Sequence, residues 1–143
     1  MANALYPLWK QQLYSFTANN NLSSGTVKVA LIDTTSGTGG YTYSDTHQFY
    51  SSVPGSAVVG TPQTINNKTF NVVGGVPIFN GDDVSYTTVT GNPVEALIIY
   101  IDTGTAGTSP LVAYIDAGVT GLPVTPNGGN INIVWNASGI FAL

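Results

Sequence analysis

Residues 95–117 read EALIIYIDTGTAGTSPLVAYIDA, and this stretch decides the fold. It holds two apolar runs, ALIIYI and LVAYI, separated by a loop of Gly, Thr, Ser and Pro. Short apolar runs bounded by turn residues are typical of β-strands. We therefore predict a β-hairpin in which Asp102 closes the first strand.

An apolar strand that runs into aspartate occurs three times, as ALIDT, IYIDT and AYIDA. The aspartates are Asp33, Asp102 and Asp116. Aspartate is depleted inside strands and favoured at turns, where its side chain accepts hydrogen bonds from nearby backbone N–H groups. We expect all three to be strand-end turn residues.

The triplet Asp102-Thr103-Gly104 also resembles the way in which aspartic proteases present a catalytic carboxylate. Such a dyad needs two carboxylates that share a proton, a small residue after the glycine and a later apolar-apolar-Gly segment. Thr105 follows the glycine, and the segment AVVG lies before the triplet. Because a three-residue match is weak without its context, we expect Asp102 to be a turn residue and the protein not to be an enzyme.

Similar short segments recur from Thr26 onward. TVKVALID, DVSYTTVTG, NINIVWN and IFAL are clear, and SAVVGT, KTFNVV and VPIF are weaker. Short strands at regular spacing, with turns of Gly, Pro and Asn between them, favour a β-sandwich or jelly roll. We predict an all-β fold, a single jelly-roll-like β-sandwich domain over residues 1–143, with one short amphipathic helix at the N-terminus.

The predicted helix covers residues 1–17. Apolar side chains at spacings of three and four define one face of it: Leu5, Leu8, Trp9, Leu13 and Phe16. Pro7 is tolerated only near the first turn, which places the helix start close to it. The helix either docks on a partner or covers its own β core. A second short helix is predicted within residues 43–53, capped by Ser44 or Asp45.

Composition excludes several classes of protein. The chain has no cysteine, which excludes disulfides and thiolate catalysis. It has three Lys+Arg residues and a net charge of -4, too little positive charge to neutralise phosphates, so we expect no nucleic-acid partner. The N-terminus lacks the apolar core of a signal peptide, and no run of about 18 apolar residues occurs. We expect a soluble protein with no membrane partner.

The remaining reactive side chains form no recognisable motif. The sequence contains no nucleophile elbow for which His47 could be the base. Glu95 is the sole glutamate, and a glycosidase would need an aspartate as its partner. Asp82 and Asp83 lie in a turn-like segment. A calcium site there, or among the three strand-end aspartates, is an alternative that no EF-hand spacing supports. We therefore predict no catalytic site, no metal site and no cofactor.

Residues 39–50, GGYTYSDTHQFY, place aromatic rings among polar side chains. Such rings stack on sugars or anchor interfaces, and alternatively they fill the edge of the core. Together with the N-terminal helix they supply the candidate interface residues, which are Leu5, Leu8, Trp9, Tyr41, Tyr43, Phe49 and Tyr50.

Six segments together resemble a family of small structural proteins from tailed bacteriophages. They are MANALY, DDVSYTTVTGN, EALIIYIDTGT, LVAYID, GLPVTPNGGNINIVWN and IFAL. The resemblance covers most of the chain, is strongest from Glu95 to the C-terminus and loosest between Ser36 and Gly81, and rests on strand and turn order. Pro7 and Trp9 depart from the more polar N-terminal pattern of the family.

The resemblance implies a virion protein made in the cytoplasm of a bacterial host. It implies a capsid decoration, or cement, protein at the capsid surface, which binds and stabilises neighbouring major capsid subunits as a homodimer or homotrimer. The alternative is a protein of the tail, neck or fibre with glycan-binding aromatic residues. A neutral β domain rich in Thr, Gly and Asn agrees with either, because repeated weak contacts supply affinity in such assemblies.

Overall fold

The computed structural model describes residues 3–15 and 19–143. Within them the fold is mostly β, with one α-helix and three antiparallel sheets, which confirms the all-β prediction. The helix is α1 (Pro7–Leu13), and the strands are β1 (Ala4–Leu5), β2 (Thr26–Ile32), β3 (Val58–Thr64), β4 (Thr69–Val73), β5 (Val76–Asn80), β6 (Val84–Tyr86), β7 (Ala96–Asp102), β8 (Leu111–Ile115), β9 (Ile131–Ile133) and β10 (Phe141–Ala142).

A five-stranded main sheet, in the order β1-β8-β7-β2-β3, forms the centre of the fold. β7 and β8 are the two arms of the predicted hairpin and pair from Leu97↔Ile115 to Tyr100↔Leu111. β2 pairs with the whole length of β7 without a slip in register. Every β7 residue except Asp102 is buried, as expected of a continuous apolar strand with both faces covered.

Different parts of the chain cover the two faces of the main sheet. Side chains alternate between the faces along each strand, so Tyr100 and Tyr114 share one face, where Tyr50 stacks on Tyr100 with ring centroids 4.0 Å apart. Ile115 lies on the other face and lines a cavity together with Phe141 of β10. The second sheet, in the order β10-β5-β4, buries Phe79 in the same core as the main-sheet side chains, and Phe141 packs against that core.

The third sheet pairs β6 with β9 and closes the core beside β3. Val84, Ile131 and Ile133 are buried there. The Tyr86 hydroxyl donates to the Val29 carbonyl at 2.8 Å, which ties this sheet to the main sheet. A buried tyrosine needs such a partner, because an unsatisfied hydroxyl is costly in the core.

The N-terminal helix is shorter than predicted. The expected helix covers residues 1–17, whereas the structure limits it to α1 and places Leu5 in β1, paired with β8. Pro7 explains this boundary, because proline is favoured at the first helical position and keeps the preceding Tyr6 extended (φ -65°, ψ 124°). Phe16, assigned to the same helical face, lies outside the described residues.

No α-helix forms within residues 43–53, all of which the structure describes; the prediction of a second helix is wrong. A 3₁₀ turn at Tyr50–Ser52 is the helical element there. The Tyr50 N–H donates to the Ser109 carbonyl at 2.8 Å, and the Leu111 N–H donates to the Gln48 carbonyl at 2.9 Å. These bonds hold the segment extended beside the start of β8, and a short helix is too weak alone to compete with them.

β4 and β5 form a hairpin closed by Gly74 and Gly75. Both glycines have positive φ (58° and 80°), as a two-residue type I′ turn requires. β4 is the edge strand of the second sheet, and all five of its residues are exposed. Among the described residues, β4 therefore pairs along one side only, with β5.

Candidate functional site

The aromatic segment of residues 39–50 packs on the main sheet of its own fold. Tyr41 is 2% exposed, and its hydroxyl lies 2.8 Å from both the Tyr6 hydroxyl and His47 Nδ1. The Tyr43 ring centroid lies 5.1 Å from that of Tyr6 and 5.6 Å from that of Tyr114. Burial raises the pKa of Tyr114 to about 12 and also raises the pKa of Tyr41 and of Tyr43. These rings are uncharged at neutral pH and contact one another.

Phe49 and Tyr50 hold the end of this segment on the main sheet. Phe49 forms an isolated β-bridge with Pro110. The Tyr50 ring lies parallel to the Tyr100 ring, at an interplanar angle of 9°, and burial raises the pKa of both tyrosines. Stacked aromatic pairs add to the stability that burial supplies, so the Tyr50 side chain has a structural role, while Phe49 is held through its backbone.

The candidates near the N-terminus, one in β1 and two in α1, also pack within their own domain. Leu5 and Leu8 are half-buried, and Trp9 is 1% exposed. The Trp9 ring meets the Phe141 ring edge-on, with centroids 6.0 Å apart and planes at 82°. Each of the seven candidate interface residues is therefore wholly or partly buried in this chain, and a role for them at an interface stays a prediction.

Asp33 is a buried carboxylate directly after β2. It accepts hydrogen bonds from the Thr35 N–H (2.8 Å), the Thr38 hydroxyl and Asn92 Nδ2 (3.0 Å). Burial alone would raise the pKa of Asp33, but these hydrogen bonds outweigh burial and hold the pKa below its ordinary value. The carboxylate organises the turn that leaves the strand.

Asp102 is the last residue of β7. Its Oδ1 accepts the Gly104 N–H at 2.9 Å, and its Oδ2 lies 2.6 Å from Lys28 Nζ. The first contact is the turn geometry that aspartate favours. The Lys28 ammonium, followed by the Gly104 N–H, holds the pKa of Asp102 below its ordinary value. Both carboxylate oxygens are thus engaged, one in the turn and one in an ion pair.

The three strand-end aspartates lie at two ends of the main sheet. β2 and β7 are antiparallel, so Asp33 lies at the opposite end from Asp102, about 20 Å away for strands of this length. Asp116 follows β8 at the Asp33 end, and its N–H donates to Asn3 Oδ1 at 2.7 Å. Asp33 and Asp102 are therefore too far apart to share a proton.

The β4–β5 hairpin carries an apolar surface that the sequence did not reveal to us. We call these exposed side chains the hairpin surface; Phe70 (47% exposed) and Val72 (68%) lie on one face of the hairpin, and Val73 (61%) and Val76 (41%) lie on the other. Exposed apolar residues on a soluble protein are usually scattered singly, and a cluster marks an interaction site. The sequence pattern that indicates this surface is VVGGV, in which valines flank a two-residue turn on both sides. No strand register places all of these valines on one buried face.

A cavity of about 360 Å³ lies beside the hairpin surface. We call it the α1 cavity, since Trp9 and Leu13 of the helix form one wall. The other lining residues are Asn20, Asn21, Leu22, Ser23, Phe70 and Leu143. Most of these side chains are apolar, and none of the described lining residues has a charged side chain.

Two buried polar side chains of the α1 cavity have no hydrogen-bond partner within the described residues. They are Asn20, 6% exposed, at both Oδ1 and Nδ2, and Trp9, 1% exposed, at Nε1. Buried polar groups are almost always hydrogen-bonded, so each exception needs an explanation. Trp135, by contrast, donates its Nε1–H to the Asp82 carbonyl at 2.9 Å.

Lys68 holds the loop that carries Asn20. Its ammonium donates to the carbonyls of Leu22 (2.7 Å), Ser23 (3.2 Å) and Gly25 (2.5 Å). Burial lowers the pKa of Lys68. Three carbonyls on one ammonium fix the backbone of this loop, so the wall of the α1 cavity is built by the fold rather than formed around a ligand.

Among residues 3–15 and 19–143, no group of three or more His, Asp or Glu side chains is placed to hold a metal ion. In the same residues, no helix is long and apolar enough to cross a bilayer. Comparison of the sequence with protein-family models and with curated proteins gave no match.

Proposed function

We propose that this chain is a structural protein of a tailed-bacteriophage virion and that it decorates the capsid, where it binds and stabilises neighbouring major capsid subunits. The observation that carries the proposal is the hairpin surface, a set of exposed apolar side chains on the β4–β5 hairpin, whose strand β4 is an edge of the second sheet. The sequence resemblance to phage structural proteins is the reason for proposing a phage virion as the particle to which the chain binds.

The physical argument starts from the open edge of β4. An exposed edge strand offers unpaired N–H and C=O groups to a neighbouring chain, and soluble proteins usually protect such edges with charge or proline. β4, with the sequence TFNVV, has neither. On a capsid, many copies of one weak contact act together, so a small apolar edge is sufficient for stable attachment.

We also propose that the sheets form a jelly-roll-like β-sandwich and that the protein attaches as a dimer or trimer. The sandwich is supported by the core, which buries Phe79 of the second sheet together with side chains of the main sheet. The oligomer is supported by capsid geometry, because sites on a lattice are related by symmetry. Sedimentation of the isolated protein tests the oligomer, and a monomer at all concentrations contradicts it.

Copy number tests the assignment to the capsid. We expect quantitative mass spectrometry of purified particles to find this chain at a stoichiometry comparable with the major capsid protein. A handful of copies would assign the chain to the neck, tail or fibre instead. Absence from the particle would overturn the virion assignment.

A matched pair of substitutions tests the hairpin surface itself. Val76→Lys places a charge on this surface, and Val134→Lys places one on an equally exposed valine elsewhere (41% and 42% exposed). We expect Val76→Lys to weaken binding to particles that lack the protein by about tenfold or more, and Val134→Lys to bind as the unmodified chain does. Equal binding by both variants would contradict the role of the hairpin surface.

A further inference from the structure

The α1 cavity has the features of a binding site. Its volume of about 360 Å³ lies at the lower end of the range of about 300–1,000 Å³ typical of ligand pockets. Such pockets combine apolar walls with a few placed polar groups. Here the walls are Trp9, Leu13, Leu22 and Phe70, and the polar groups are the amide of Asn20 and the indole N–H of Trp9.

The unpartnered atoms define the chemistry of the ligand. Asn20 has one unpartnered acceptor, Oδ1, and one unpartnered donor group, Nδ2, and Trp9 has an unpartnered donor, Nε1. All three atoms are buried, so a side-chain rotation must expose them to a ligand. An extended peptide residue presents its N–H and C=O on the same side, and these groups match the acceptor and the donor of Asn20. Since the described lining residues carry no charged side chain, an uncharged ligand fits best.

The position of β4 beside the cavity favours a peptide over other amide-containing ligands. Phe70 belongs both to the wall of the α1 cavity and to β4, so the cavity opens next to the unpaired edge of the second sheet. In strand addition, backbone bonds to a sheet edge supply affinity and a pocket for alternate side chains supplies specificity. Both parts are present here, side by side.

We propose that the α1 cavity and the β4 edge together bind an extended, uncharged peptide segment of a partner protein. The segment adds to the second sheet along β4, one of its residues bonds to the amide of Asn20, and the apolar side chain of that residue enters the cavity. The inference is independent of the virion assignment, because the cavity, the two unpartnered side chains and the strand edge carry it.

The first test uses N-acetyl-L-leucine N-methylamide, which carries a leucine side chain between two peptide groups. The reporters are the indole N–H resonances of the two tryptophans, Trp9 in the cavity and Trp135, which is already bonded to Asp82. We expect a saturable shift of the Trp9 resonance and none of the Trp135 resonance. No shift of Trp9 at millimolar probe, where a weak fragment binds, would overturn the proposal.

A matched probe tests the bond to Asn20. N-acetyl-N-methyl-L-leucine N-methylamide lacks the leucine N–H that the proposed strand geometry pairs with Asn20 Oδ1, and keeps only the N–H of the methylamide. We expect its affinity to be about three- to tenfold lower. Asn20→Leu should abolish this difference between the probes, and its fold is checked by the unchanged Trp135 resonance. Equal affinity of both probes for the unmodified protein would overturn the assignment of Asn20.

A second variant keeps the proposal testable if Asn20→Leu fails to fold. Phe70 is half-exposed on β4, so Phe70→Ala should fold and should weaken binding of the leucine probe at least about threefold, because a wall of the cavity is removed. Unchanged affinity would overturn the placement of the ligand beside β4.

Hydrogen exchange tests the proposed pairing of the peptide with β4. Acetyl-Thr-Leu-Thr-Leu-Thr amide should slow hydrogen exchange of the β4 amides, and the same peptide with N-methylated leucines should not. If the Trp9 and β4 signals change with protein concentration alone, a second copy of this chain covers the site, and the assignment to a partner protein is wrong.

Discussion

The β7–β8 hairpin and the β4–β5 hairpin are both rich in apolar residues, yet they lie in opposite surroundings. All of β8 and all of β7 except Asp102 are buried, whereas every residue of β4 is exposed. β7 lies between β8 and β2 in the main sheet, while β4 is an edge. The comparison teaches that position in the sheet, rather than apolar content, separates the stable centre of this fold from its open surface.

Alkaline pH should have the largest effect on stability, and this effect should come from the main sheet rather than from the β4–β5 hairpin. Burial raises the pKa of tyrosines that pack on the main sheet, among them Tyr6, Tyr86, Tyr100 and Tyr114, the last to about 12. Above a pH of about 10 the unfolded chain loses phenolic protons that the folded chain keeps, so stability is full below this pH and falls as the pH rises.

We expect unfolding and tyrosinate absorbance to rise together at alkaline pH, and Tyr114→Phe to move this transition to higher pH. The hairpin substitution Val72→Ala should leave the transition in place. Tyrosinate formation that is complete while the circular dichroism of the folded sheet persists would contradict the packing of these rings.

Truncation of a buried side chain should have the next largest effect on stability. Ile99→Ala removes a fully buried side chain of β7 and should lower the free energy of unfolding by about 3–4 kcal/mol. Val72→Ala removes a side chain that is 68% exposed and should lower it by less than about 0.5 kcal/mol. Urea unfolding measures both free energies. Similar losses in the two variants would contradict the difference in burial between the two hairpins.

Asp33 extends the comparison to polar groups of the main sheet. Asp33→Ala leaves the Thr35 N–H and Asn92 Nδ2 without their acceptor and should cost about 2–3 kcal/mol. The carboxylate contributes stability above its unfolded pKa, and this contribution is lost as the pH falls through the lower folded pKa. Asp33→Ala should therefore flatten the acid side of the stability profile, and an unchanged profile would contradict this role.

Asp102 should have a smaller effect than Asp33. The Lys28–Asp102 pair is partly exposed, with side-chain exposures of 30% and 23%, and exposed pairs contribute at most about 1 kcal/mol. Asp102→Asn keeps an acceptor for the Gly104 N–H, so unfolding should change by less than about 1 kcal/mol and particle binding should not change. Loss of a peptidase activity in this variant would overturn the turn assignment.

The sequence predicted the centre of the fold because local patterns decide it. Residues 95–117 combine two apolar runs with a Gly-rich loop, and this combination specifies the β7–β8 hairpin without knowledge of the rest. The end of β1 was harder to predict. Leu5 and Leu8 share a helical spacing, but Pro7 separates them, and only the pairing of β1 with β8 shows that Leu5 is in a strand.

The α1 cavity was beyond prediction from the sequence. Asn20 lies in a polar run, ANNNLSS, that reads as a loop, and nothing in that run distinguishes a buried asparagine from its exposed neighbours. It shares the wall of the cavity with Trp9 and Phe70, which lie in other elements of the fold. A site built from four separate segments leaves no local pattern.

Hydrogen exchange, measured on the isolated protein and on particles that carry it, tests the central claim most directly. In the isolated protein we expect slow exchange in β7 and β8 and fast exchange in β4, because exposed edges open easily. On the particle, β4 should become protected while β7 and β8 stay unchanged. Fast exchange of β4 in both states, with new protection at residues 39–50 instead, would contradict the claim that the open hairpin is where this chain meets its partner.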